Sequence, residues 1–130
     1  NMKTKLFIIG LVTVAAFSTS CKKDKEDPTI TITTPDEHSE HTWGSEVHIN
    51  AEFADDRGLK SYTVMVVDAD GNHDHDFDFM KTGDISGVSH HFHEHFMVPD
   101  SAAAMRWVDF TVTDAEDKTA TASWMLHFAE

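Results

Sequence analysis

The run Glu46-Val47-His48-Ile49-Asn50-Ala51-Glu52-Phe53 decides the fold. Val47, Ile49, Ala51 and Phe53 fall on one side of an extended chain, and His48, Asn50 and Glu52 on the other. A strand with one buried and one wet face requires that period of two. Working outward, the alternation recurs in Val108, Phe110 and Val112, and again in Trp124, Leu126 and Phe128. Strands are predicted near Thr29–Thr33, Glu46–Phe53, Lys60–Val67, Phe77–Lys81, Val88–Val98, Arg106–Thr113 and Thr119–Phe128. Turn residues separate them: Asp55-Asp56-Arg57-Gly58, Asp70-Gly71-Asn72, Pro99-Asp100-Ser101 and Asp114-Ala115-Glu116-Asp117. Ser101 to Met105 has room for one helical turn at most. About seven short strands imply an all-β antiparallel sandwich. Its expected core includes Ile49, Phe53, Val64, Phe92, Phe96, Phe110, Trp124 and Leu126.

The N-terminal residues read as an address, not as fold. Lys3 and Lys5 follow Met2, Leu6 to Phe17 are apolar, and Ser18-Thr19-Ser20 leads into Cys21. These are the parts of a secretory signal. The apolar stretch is shorter than the roughly 20 residues that span a bilayer. The junction resembles the lipobox of bacterial lipoproteins, with Ser18 in place of the commoner leucine. The resemblance implies a signal over residues 1–20 and lipidation of Cys21, the single cysteine, which leaves no thiol for a disulfide, metal or nucleophile. Lys22-Lys23-Asp24-Lys25-Glu26-Asp27-Pro28 is charged and reads as a solvated tether over residues 21–28. Its order resembles signals that direct lipoproteins to the outer face of the outer membrane. An extracytoplasmic location, anchored in the outer membrane through Cys21, is the resulting expectation.

The formal net charge is -13, and loss of Lys3 and Lys5 with the signal makes it two units more negative. Such a domain repels nucleic acid and attracts cations, so DNA and RNA are excluded as partners. The remaining chain, residues 29–130, suffices for one domain with a modest core.

Asp55-Asp56-Arg57-Gly58-Leu59-Lys60-Ser61-Tyr62 resembles the segment joining the second and third strands of bacterial immunoglobulin-like and cadherin-like modules. Phe110-Thr111-Val112-Thr113-Asp114-Ala115 resembles their penultimate strand and its turn. The mature chain as a whole resembles a family of small, histidine-rich, immunoglobulin-like bacterial lipoproteins classed as a domain of unknown function. The likeness rests on a His-containing turn after the third strand, a His-rich strand introduced by Asp84-Ile85-Ser86-Gly87 and ending in Val98-Pro99, and aspartate-rich turns. It implies an immunoglobulin-like sandwich and metal binding, and supplies no established activity.

Ten histidines mark the chain, six of them in Asn72-His73-Asp74-His75-Asp76 and His90-His91-Phe92-His93-Glu94-His95. Imidazole suits zinc, copper and nickel. The bland alternative is that these are solvated residues of a polar sheet face. Parity sends Phe92, Phe96 and Val98 inward with His90 and Glu94, and His91, His93 and His95 outward. Alternate strand residues lie about 6.6 Å apart, close enough for two imidazoles to lean onto one ion. The expected pairs are His91 with His93, or His93 with His95. Further ligands must come from neighbours. In an immunoglobulin-like sandwich the second strand pairs with the fifth, which brings outward His48 beside the row. The segment holding His73 and His75 precedes Phe77–Lys81, expected to pair with the other side of the His-rich strand. The candidate metal ligands are therefore His48, His73, His75, His91, His93 and His95. Asp74, Asp76 and Asp78 are candidate ligands or imidazole partners. Solubilising charge is the favoured role for Asp78. His38, His41 and His127 are expected outside the site.

Calcium at the loop ends is an alternative for Asp55, Asp56, Asp114, Glu116 and Asp117, since calcium takes six to eight oxygens and not imidazole. An enzyme is not expected: Glu94 lies on the wrong parity for a general base, and no nucleophile, phosphate-loop or cofactor motif occurs. The functional expectation is an extracytoplasmic, lipid-anchored protein binding a transition metal, zinc first, with Cu2+ or Ni2+ open. The alternative is an immunoglobulin-like adhesion or assembly module with incidental histidines. The protein partner is not legible.

Overall fold

The structure, a computed structural model, describes residues 26–130. The signal read over residues 1–20, Cys21 and the first tether residues lie outside the described residues. The strands are β1 (Thr29–Thr34), β2 (Glu40–Thr42), β3 (Glu46–Ala54), β4 (Leu59–Val67), β5 (Met80–Asp84), β6 (Ser89–Met97), β7 (Met105–Asp114) and β8 (Thr119–Ala129). They form a three-stranded sheet in the order β1-β3-β6 and a five-stranded sheet in the order β2-β8-β7-β4-β5. All pairings are antiparallel except that of short β2, which runs parallel to β8. The two sheets face each other because each has one apolar side. From β3 come Val47, Ile49, Ala51 and Phe53, and from β6 Phe92 and Phe96. Opposite them lie Val64 and Val66 of β4, Val108, Phe110 and Val112 of β7, and Leu126 and Phe128 of β8. Each such large side chain contributes about 1.5–3 kcal/mol by leaving water. The result is an immunoglobulin-like β-sandwich, in which β3 pairs with the His-rich β6 and β4 with β7.

Three details depart from the sequence reading. Among the described residues there are eight strands rather than about seven, because Glu40–Thr42 adds to the edge of β8. The strand expected at Phe77–Lys81 starts at Met80 and pairs with β4, in the sheet opposite the His-rich strand. A tight turn explains the shift: Asp74 Oδ1 accepts the Asp76 amide at 2.9 Å, the Asp78 amide donates to the His75 carbonyl, and Asp78 takes φ 51°. Phe77 and Phe79 still alternate inward, packing on Phe96 with ring centroids 5.6 and 5.2 Å away. Finally, Trp124 is only partly buried, and its indole N–H donates to the Pro35 carbonyl at 2.8 Å. A tryptophan whose polar edge finds a partner at the rim serves as a lid on the core more than as its centre.

The acidic turns meet at one end of the sandwich, joined where the Ala115 amide donates to the Gly58 carbonyl. Their two buried carboxylates hold the turns themselves. Asp55 Oδ2 accepts from the amides of Arg57 and Gly58, and Asp114 Oδ1 from those of Glu116 and Lys118. Asp117 accepts from the Lys60 ammonium. At the start of the domain Pro28 is buried, and Lys118 Nζ donates to the Glu26 carbonyl, so these last tether residues lie against the sandwich.

Candidate metal site

The outward side of the β3–β6 pair is polar because the inward parity has taken every large apolar residue but one. Glu46, His48, Asn50 and Glu52 of β3 face out, as do Ser89, His91, His93, His95 and Met97 of β6. Register sets which of them meet: Glu46 lies opposite Met97, His48 opposite His95, Asn50 opposite His93 and Glu52 opposite His91. Directly opposed residues on an antiparallel pair have Cβ atoms about 4.5–5.5 Å apart, and long side chains reach the diagonals.

The nearest ring nitrogens belong to a diagonal pair across the two strands. His48 Nδ1 stands 3.4 Å from His93 Nε2. The expected pairs along β6 are looser: the His91 and His93 rings are 6.5 Å apart by centroid. His95 also approaches His48, at 5.4 Å between centroids. Two nitrogens bound at 2.0–2.1 Å to a tetrahedral ion are separated by about 3.3–3.4 Å. The His48–His93 contact is a ring N–H to N hydrogen bond with the length of that edge, so an ion bound there would replace its proton.

Two carboxylates brace the row from β3. Glu46 Oε1 lies 3.0 Å from His48 Nε2, and its other oxygen lies 3.4 Å from His95 Nε2. With the Nε2 proton donated to Glu46, the lone pair of His48 resides on Nδ1, the atom that faces His93. Glu52 Oε1 likewise lies 3.0 Å from His91 Nδ1, which frees Nε2 of that ring. A carboxylate on the far nitrogen of a ligating imidazole fixes its tautomer and raises its basicity. These side chains are about half exposed, so an ion arriving from solvent has only modest desolvation to overcome. Among the described residues, no three His, Cys, Asp or Glu groups already stand as a metal would hold them. The face offers one close pair, with the His95 ring 5.4 Å from that of His48 and Glu46 in contact with both His48 and His95.

His73 and His75 are elsewhere. Val67 and His73 form an isolated bridge at the end of β4, and the Asp74 amide donates to the Val66 carbonyl. The two rings meet edge to face at 4.5 Å, and His73 Nε2 is buried with no hydrogen-bond partner. Asp74 is spent on Arg106, whose Nε donates to its Oδ2. Burial pushes the Asp74 carboxyl up, but the hydrogen bonds from Arg106 and the Asp76 amide and the nearby cationic charge hold it below the usual carboxylate range. Because Phe77–Phe79 precedes a strand of the opposite sheet, this cluster is held at the β4 end rather than across β6 from the row.

The remaining histidines stand apart from this face. His90 stacks against Phe53 and Tyr62 at 6.1 and 5.6 Å. His41 meets Ser39 Oγ at 2.8 Å, and burial lowers its basicity. His127 lies on the other sheet, 6.0 Å from His38. Glu94 sits opposite Ile49 and 3.9 Å from the Lys81 ammonium, away from the outward row.

Sequence reasoning missed Glu46 and Glu52 as imidazole partners. Their outward parity was readable, but the placement of Glu52 opposite His91 and of Glu46 diagonal to His95 depends on the β3–β6 register.

No curated protein matches the chain. Among solved structures, it is similar to that of Spo0M, a sporulation control protein from Bacillus subtilis, with a TM-score of 0.43 and 12% identity. The match covers 80% of this chain and 49% of that one, so this chain spans about half the length of that protein. Over residues 16–126 the sequence matches the family described as domain of unknown function DUF4625, and the chain belongs to that family.

Proposed function

We propose that this domain binds a transition-metal ion, zinc first, on the outward face of β3 and β6, and does so as a lipid-anchored extracytoplasmic protein. The single observation carrying the reading is the 3.4 Å separation of His48 Nδ1 and His93 Nε2. Glu46 on the far side of His48 supports it, because metal-binding imidazoles ordinarily carry such a partner. His95 is the third protein ligand, and solvent completes the coordination. The acidic net charge favours cation capture over anionic partners. A half-exposed site of two or three imidazoles suits capture or buffering, where the ion must also leave. The anchor rests on the lipobox-like run into Cys21.

Protein purified without a nickel column, loaded with zinc and dialysed, should retain one equivalent and release it to a chelator. Metal binding needs neutral imidazole, and protons compete for the same nitrogens, so retention should fall as the solution is acidified. Zinc lost fully on dialysis at neutral pH would return the histidines to the adhesion-module reading. Cys21→Ser should release the protein from the membrane fraction.

A further inference from the structure

From Glu46 to Glu52 on β3 and from Ser89 to Met97 on β6 there are nine outward positions, and eight are polar. The ninth is Met97, 54% exposed. An exposed thioether there fills no core gap. It sits two residues beyond His95 on the same face and opposite Glu46, which makes it the diagonal neighbour of His48. Met97 and His95 also border one groove of about 430 Å3, between β6 and the Phe77–Phe79 stretch. The groove thus places both residues at the same end of β6.

We propose that Met97 completes a copper(I) site with His48 and His95 at this end of the row. The inference rests on the metal-binding reading above and adds a preference to it. Thioether sulfur is a soft donor that selects Cu(I), whereas zinc is served by imidazole, thiolate and carboxylate. Two imidazoles and a thioether give Cu(I) a low-coordinate site, and the histidines alone serve zinc. Replacing Met97 should then separate the two metals.

The test uses the full chain in detergent, with Cys21→Ser to remove the single thiol. Cu(I) and Zn(II) affinities are measured by competition with chromophoric chelators, Cu(I) under anaerobic reducing conditions. Met97→Leu keeps size and apolarity at an exposed position, so folding should not suffer. It should weaken Cu(I) by about tenfold or more and leave Zn(II) within about twofold. Met80→Leu, on the other sheet, should change neither. Unchanged Cu(I) affinity in Met97→Leu, or equal losses of both metals, would overturn the proposal while leaving the zinc site standing. Zinc binding without any Cu(I) binding in the parent chain would do the same. Binding of neither metal would overturn both readings together.

Discussion

Two places in this molecule bring histidine pairs together with acids, and they use them in opposite ways. At the end of β4, His73 and His75 meet edge to face with one nitrogen buried, while Asp74 between them is committed to Arg106. On the β3–β6 face, His48 and His93 point ring nitrogens at each other in the open, and Glu46 holds the opposite side of His48. Composition is nearly the same in both. A turn spends its polar side chains on backbone amides and on closing itself, whereas the strand ladder is held by its backbone and leaves its outward side chains to pair with one another. Density of histidine in sequence is therefore a poorer guide to a site than the register that stacks it.

The two regions can be pulled apart by substitution, beginning with what both stand on. Phe110 is 1% exposed at the centre of the core. Phe110→Ala should cost about 3–5 kcal/mol in denaturant unfolding. If the cost is below about 1 kcal/mol, the sandwich core is placed wrongly. Next, His93→Ala should weaken zinc by about 100-fold, or about 2.7 kcal/mol, while His73→Ala and His127→Ala leave the affinity near its parent value. Equal losses at all three would mean diffuse surface binding.

Asp74→Ala should show the reverse pattern. The Asp74–Arg106 contact is largely buried, so losing it should cost about 1–3 kcal/mol of stability with zinc affinity unchanged. The sign of its pH dependence follows from its lowered pKa. A carboxyl that binds protons less readily folded than unfolded stabilises above the ordinary carboxylate range, and the contribution is lost as pH falls through and below about 4. Asp74→Asn should therefore flatten the acid limb of stability against pH. The smallest effect is expected at the brace: Glu46→Gln keeps a hydrogen-bond acceptor but loses the charge, and should weaken zinc by about tenfold.

Much of this was legible before any coordinates. Parity alone sent His48, His91, His93 and His95 outward and Phe92 and Phe96 into the core, because strand alternation follows from covalent geometry. The pairing of β3 with β6 followed from the immunoglobulin-like order. What parity does not carry is register over 45 residues of separation, and register chose His48 with His93 over neighbours along β6. The Phe77–Lys81 strand went wrong for a local reason. Asp74 and Asp78 bent the chain through a turn, so Phe77 kept the burial of a strand while its amide bonds within the turn, and Phe79 keeps one bond to β4 through its carbonyl. The expected help from His73 and His75 failed with it, since that pairing was what would have brought them to β6.

The central claim is that His48 and His93 hold one ion jointly. A double-mutant cycle measures this directly: zinc affinity of the parent chain, His48→Ala, His93→Ala and the pair. Ligands of one ion are coupled, so the double variant should bind zinc scarcely more weakly than either single variant, with a coupling energy above about 1 kcal/mol. Losses that simply add, with coupling below about 0.5 kcal/mol, would contradict the shared site.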